Sequence, residues 1–298
     1  MKHQFVKRAT VFAALAVCGM AAQAADWSDT SIGYGYGTKF QEPFNGTDIS
    51  KSIVNLTHAS GYKYGTNYLN VDMLMSDKND PSSFDTSTEG AHETYVVYRH
   101  TLDLGKVLGT EYKFGPVRGL GITAGFDYNN KNDVGYNSKK RMLVAGPTLM
   151  LDVPGFLNIS LLALWESNQP SGQAFNASPN GQVTGFGPYA LPRYSYDVHP
   201  MISASWGIPI GTLPLSFEGY ANIIASKGTD EYGFKTGAET LIDARLMYDA
   251  SSVLGAKSNT FKFGVQYQYW RNKFGNTEAT AGSGSLAKTP MVRAEYHF

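Results

Sequence analysis

Charged side chains recur through this 298-residue sequence at spacings of two, set between apolar neighbours. In "NYLNVDMLMSD" (residues 67–77), Leu69, Val71, Met73 and Met75 share one face of an extended chain, and Asn70 and Asp72 share the other. Glu93 and Tyr95 repeat the spacing, with Arg99 further along the same face. Asp127, the pair Glu218 and Tyr220, the run Glu239, Asp243 and Arg245, Trp270 beside Gln266 and Gln268, and Arg293 with Glu295 continue it. Carboxylates and guanidinium groups bond hydroxyls, and aromatic rings stack on flat solutes, so such faces could hold a small polar ligand.

Other spacings point to different chemistry and carry it less far. "THAS" puts His58 and Ser60 on one face, but a histidine activates a serine only when a third group, here a carboxylate from a neighbouring strand, orients it. "DKND" at residues 77–80 lacks the glycine and distal glutamate of a calcium loop. "GYGYG" at residues 33–37 is not followed by a helix that could complete a phosphate cradle. The six histidines show no metal-ligand spacing. Neither metal nor cofactor is expected, and the chain is not read as an enzyme.

Period two also defines the elements that must position these groups, because helical periodicity is nearly absent. Twelve strand segments are expected, at about 28–39, 51–61, 64–76, 91–102, 117–129 and 140–153, then 156–167, 193–206, 213–226, 236–249, 260–271 and 287–298. About eleven tilted residues cross an apolar band of about 25 Å, which these lengths satisfy. Short links (61–65, 153–155, 207–214) alternate with long polar ones (77–90, 168–192, 272–286), with both termini on the short-link side. Links 103–116 and 250–259 are longer than a short turn. The fold class expected is all-β: one closed antiparallel transmembrane β-barrel of about twelve strands, with short periplasmic turns and long external loops.

The ends and the composition agree with export. Lys2, Lys7 and Arg8 precede an apolar run that stops at "AQA" (residues 22–24), so residues 1–24 read as a cleaved signal peptide and 25–298 as the barrel. Cleavage would remove Cys18, the only cysteine, leaving no disulfide. It would also take three of the 25 basic residues, leaving 22 against 25 acidic, about −3. That balance argues against a nucleic-acid partner. No apolar run is long enough for a spanning helix. The chain closes on "VRAEYHF", whose terminal Phe298 fits an end read by the barrel-assembly machinery.

The apolar faces carry tyrosine or tryptophan near their ends, as in Tyr194, Tyr196, Val198, Ile202, Ala204 and Trp206. The opposite faces carry both signs of charge at mid-strand, where contact with lipid would cost about 2–4 kcal/mol each. Pooled, they would line a lumen, to which Glu166, Asp197 and Lys262 also belong. An even count of twelve closes the sheet without an edge and sets a narrow bore.

"SIVNLTHASGYKYGTNYLNVDMLMSDKNDP" (residues 52–81) closely resembles the corresponding region of OmpK-type members of the nucleoside-specific channel-forming (Tsx) porin family. "GVQYQYWRNKFGN" (264–276) and "WSDTSIGYGYGTKF" (27–40) extend the resemblance over the mature chain. It implies a monomeric outer-membrane barrel of a Gram-negative bacterium, embedded in lipid and lipopolysaccharide. It further implies facilitated diffusion of nucleosides and deoxynucleosides past aromatic residues flanked by ionisable ones. Glu93 and Tyr95 match that pattern best, with Tyr220 and Trp270 as further stacking groups and Arg245 and Arg293 for sugar hydroxyls. Two other functions are weighed against it. One is a surface receptor or structural barrel, its long loops serving a phage. The other is a barrel similar to lipid A deacylases, which use the H-x-S spacing of His58 and Ser60.

Overall fold

The computed structural model describes residues 25–80, 90–132, 136–172 and 189–298. Twelve long strands carry the fold: β1 (Trp27–Glu42), β2 (Asn45–Tyr62), β3 (Gly65–Ser76), β4 (His92–Asp103), β5 (Val117–Asn132) and β6 (Lys139–Leu151), then β7 (Phe156–Asn168), β8 (His199–Pro209), β9 (Leu215–Ile224), β10 (Glu239–Asp249), β11 (Phe261–Arg271) and β12 (Leu286–His297). Every strand pairs antiparallel with its sequence neighbour, and β12 returns to β1 through a register running from Ser31↔His297 to Gly37↔Met291. The sheet is therefore a closed barrel, and closure pairs every backbone edge, which lipid requires.

The alternation seen in the sequence becomes the inside and outside of this cylinder. Ile32, Tyr34, Tyr36, Phe126, Leu143, Leu161, Ile202, Ile223, Val265 and Val292 all stand exposed on the outer face. That arrangement inverts a water-soluble protein, and it is the surface a bilayer solvates. Among the described residues no helix is long and apolar enough to cross a membrane.

Both termini lie at one rim, the terminal rim; the long links leave from the other, the loop rim. The long link after β4 is explained by a short helix, α1 (Leu104–Leu108). Asp103 caps it by accepting from the amides of Gly105 (2.9 Å) and Lys106 (3.3 Å).

Three strands depart from the expected segments. β1 and β2 run on into a tight hairpin at Phe44, whose φ of 67° turns the chain. Register shifts between Gly37, Phe40 and Glu42 reverse the parity there, so Phe40 and Glu42 point inward where strict alternation would send them out. β8 starts at His199 rather than 193; only Tyr194–Ser195 pairs ahead of it. Tyr196, expected on the lipid face, is instead buried, with its hydroxyl donating to Glu231.

"GYGYG" acquires a different meaning in β1. Tyr34 and Tyr36 point out, and Gly33, Gly35 and Gly37 face the lumen. A Cβ on Gly33 would meet Asn55 Oδ1 at 2.3 Å, so the missing side chains make room for neighbours that lie flat across the strand.

Candidate functional site: the lumen

Strand register places Asp72, Glu93, Tyr95, Arg99, Asp127, Glu218, Tyr220, Glu239, Asp243, Arg245, Trp270, Arg293 and Glu295 on the inward face. They do not form one ring. They divide into two tiers, and the division follows height.

The middle tier is wettable in part: its tyrosines and Arg99 keep some exposure, while Asp243, Gln266, Arg293 and Glu295 are buried. Arg99 grips Asp127 with both terminal nitrogens, the second at 3.1 Å, and the Tyr95 hydroxyl donates to the same carboxylate at 3.4 Å. Fixed from both sides, Asp127 cannot swing into the bore. Across the lumen Asp243 accepts from Gln266 (2.8 and 2.7 Å), from Gln268 (3.3 Å) and from Arg245 Nε (3.2 Å). Arg245 also reaches Glu295 at 3.8 Å, which Arg293 bonds as well. Nearer the terminal rim Lys262 donates to Glu218 at 3.2 Å. Asp72 forms no ion pair among the described residues, and it faces Arg293 and Arg245 through space. Tyr68 and Tyr220 stand in the same field, beside Asp72, Asp243 and Arg245. Tyr68 is 37% exposed although it points inward, so solvent reaches the lumen at this height.

The loop tier is packed. Glu42 Oε1 accepts from Lys51 at 2.6 Å and lies 3.1 Å from Lys273 and 4.0 Å from Lys131. Lys131 in turn donates to Asp80 at 2.7 Å, and Lys51 stands 3.7 Å from Asp80. Burial raises the Asp80 carboxyl, yet Lys131 and Lys51 outweigh it and hold the group below its ordinary value. Glu166 accepts from Lys227 (2.8 Å) and pairs with Lys140 (3.2 Å). Trp270 donates to Glu239 at 2.6 Å, Asn129 donates to Glu93, and Lys273 lies 4.6 Å over the Trp270 ring. One gap, between Glu42, Glu93, Lys131, Tyr136, Ser138, Lys140 and Phe274, is about 30 Å³, room for a water molecule.

Sequence spacing pointed to Glu93, Glu166, Glu239 and Trp270 in this tier but not to their partners. Glu42 hides behind the β1 bulge, and Asp80, Lys227, Lys273 and Phe274 come from links. Tyr68 was in plain view, in phase with Asp72. The motif pair stands apart from both tiers: His58 is on the outward-facing parity and bonds Thr30 Oγ1 at 2.8 Å, with no carboxylate on its ring among the described residues. Much of the expected receptor loops (77–90 and 168–192) lies outside the described residues.

No known protein family's profile matches the chain, and no curated protein matches it in sequence. Solved structures share its general shape. The translocator domain of the autotransporter NalP from Neisseria meningitidis is 13% identical with a TM-score of 0.45, covering 97% of this chain and 98% of its own. The KdgM porin, solved with disordered oligogalacturonate, is 11% identical with a TM-score of 0.41, covering 90% and 99%. The β domain of the Bordetella autotransporter BrkA is 10% identical with a TM-score of 0.43, covering 92% and 99%. At such values none of the three bears on what this chain does.

Proposed function

We propose that this chain is an outer-membrane channel that passes small polar solutes, of the nucleoside class, by facilitated diffusion. One observation carries the reading: at mid-height a closed, lipid-clad barrel turns Tyr68 (exposed) and Tyr95 and Tyr220 (half-buried) inward beside carboxylates and guanidinium groups of both signs.

Each part suits a nucleoside. The bases present a flat π face to a phenol ring. Ribose hydroxyls donate to Asp72, a carboxylate without an ion pair among the described residues, and accept from Arg245, a guanidinium held nearby. Nucleosides are neutral, so a lumen of balanced charge neither repels nor traps them. Several weak contacts allow both capture and release. The resemblance to the Tsx family supports the same class, and it also supports a monomer with the loop rim outside the cell. In this orientation Phe298 belongs at the periplasmic rim, as an assembly signal for the barrel machinery.

The test is electrical. Purified protein in a planar bilayer is expected to give small single-channel currents that added nucleosides reduce, with amino acids and sugars having much less effect. A bilayer that stays silent, or block by all three solutes alike, would refute nucleoside selectivity.

A further inference from the structure

The link between β11 and β12 does not stand clear of the barrel. Its first residues fold back over the loop rim and put Lys273 and Phe274 into the packed tier. Lys273 bonds the Gln41 carbonyl at 2.9 Å and Glu42 at 3.1 Å. Phe274 meets Trp270 edge-on at 4.8 Å between centroids, and Lys140 Nζ lies 4.1 Å from the centroid of the Phe274 ring. Phe274 lines the small gap in this tier, and Lys273 is buried beside it.

The backbone that does this is unusual. Asn272 (φ 50°), Phe274 (φ 60°) and Gly275 (φ 83°) all take left-handed conformations, which a bulky residue such as phenylalanine rarely adopts. Strain of this kind persists only where the surroundings impose it, and it collects at parts that work. Here the surroundings are identifiable. Phe44 N bonds the Ala281 carbonyl at 2.9 Å, and Gly284 lies so close to the β1–β2 hairpin that a Cβ would meet Glu42 O at 2.0 Å. The link is therefore seated on one hairpin and reaches across the mouth with two side chains.

We infer that residues 272–285 form a movable plug, with Lys273 and Phe274 as its stopper, and that a solute reaches the mid-lumen tyrosines only when the plug is displaced. The inference rests on the channel reading and adds to it where transport is controlled. The packing around the plug supports it: Lys51, Lys131, Lys140, Lys227 and Lys273 at its level are all buried, and Lys140 reaches the Phe274 ring from the far side of the barrel, whereas Tyr68 below keeps an open flank. A nucleoside is far larger than the 30 Å³ gap that Phe274 leaves beside Glu42 and Lys140.

Two variants test this by potassium chloride conductance in planar bilayers, which needs no knowledge of the permeant. Phe274→Ala removes the ring from the bore and is expected to raise single-channel conductance by about twofold or more. The pair Gly46→Cys and Ser283→Cys tethers the link to the hairpin, because a Cβ on Gly46 would lie 3.9 Å from that of Ser283, within disulfide range. Oxidised, this variant is expected to lose most of its current, and a thiol reductant is expected to restore it. An unchanged current in Phe274→Ala, or equal currents before and after reduction, overturns the plug while leaving the channel intact. Silence of the wild-type protein and every variant overturns plug and channel together. Currents that respond to both variants but ignore nucleosides support the plug and refute only the permeant class.

Discussion

A single carboxylate organises the loop tier. Glu42 has three ammonium groups within 4.0 Å and almost no water. Buried charges tolerate such crowding only while the signs balance, and removing one partner of a buried pair typically costs 3–5 kcal/mol. Glu42→Gln keeps the shape and deletes the charge that Lys51, Lys131 and Lys273 share. Its expected effect is a loss of about 3 kcal/mol of barrel stability, read as a lower urea midpoint in lipid vesicles. Arg245 poses the opposite case in the wettable tier. Arg245→Ala is expected to weaken nucleoside block of the current by about tenfold, one hydrogen bond to a charged group being worth about 1.5–3 kcal/mol. Salt conductance should survive the change, because Asp72 and Asp243 remain. Individual residues were also where sequence reading was strongest and weakest at once. Asp72 and Asp243 declared themselves by alternation, since the neighbours on either side are apolar and only the lumen could take them. Glu42 did not, because a bulge between Gly37 and Glu42 breaks the period on which the reading depends.

At the scale of elements, alternation recovers the strands because each is solvated differently on its two faces. It fails where both faces of a segment see protein. Residues 193–198 alternate as well as any strand, yet Tyr196 turns inward because Glu231 offers its hydroxyl a partner. Links carry no periodic signal at all, so the inward reach of residues 272–275 had no trace in the sequence beyond an unremarkable "NKFG". The turn at residues 77–80 makes a further prediction. Asp80 has its carboxyl held low in the folded protein, so its contribution is complete above the ordinary carboxylate range and is lost as pH falls through the depressed value. The contribution starts to fall as pH drops through the ordinary value of about 4, and below the depressed value the Asp80–Lys131 contact should fail, freeing the turn from the mouth. Acidification is expected to lower the protection of the amides of residues 77–80 against hydrogen exchange, measured against an unstructured chain at the same pH, and Asp80→Asn should show low protection already at neutral pH. Protection that stays high in both would mean that the turn is held by Asn45 and its backbone bonds instead.

The whole molecule is defined by which side of the sheet is wet, and two adjacent valines allow that to be measured. Val96 and Val97 sit side by side at the middle of β4. Val96 lies opposite Val71 and Tyr128 on the outer face, and Val97 lies opposite Asn70 and Asp127 on the inner one. Their identity, their strand and their depth are the same; only the solvent differs. Val96→Lys would hold an ammonium against hydrocarbon at mid-depth, at a cost of about 2–4 kcal/mol. Val97→Lys would hold it in an aqueous lumen, within reach of a carboxylate, at little cost. Folding into lipid vesicles, followed by urea titration, should therefore separate the two by at least half of that range. The same lysine at position 97 should also shift the salt current toward anions, whereas at position 96 it should leave ion selectivity untouched. A protein that tolerated Val96→Lys and failed on Val97→Lys would have its apolar face inside, and neither barrel, lumen nor channel would survive that result.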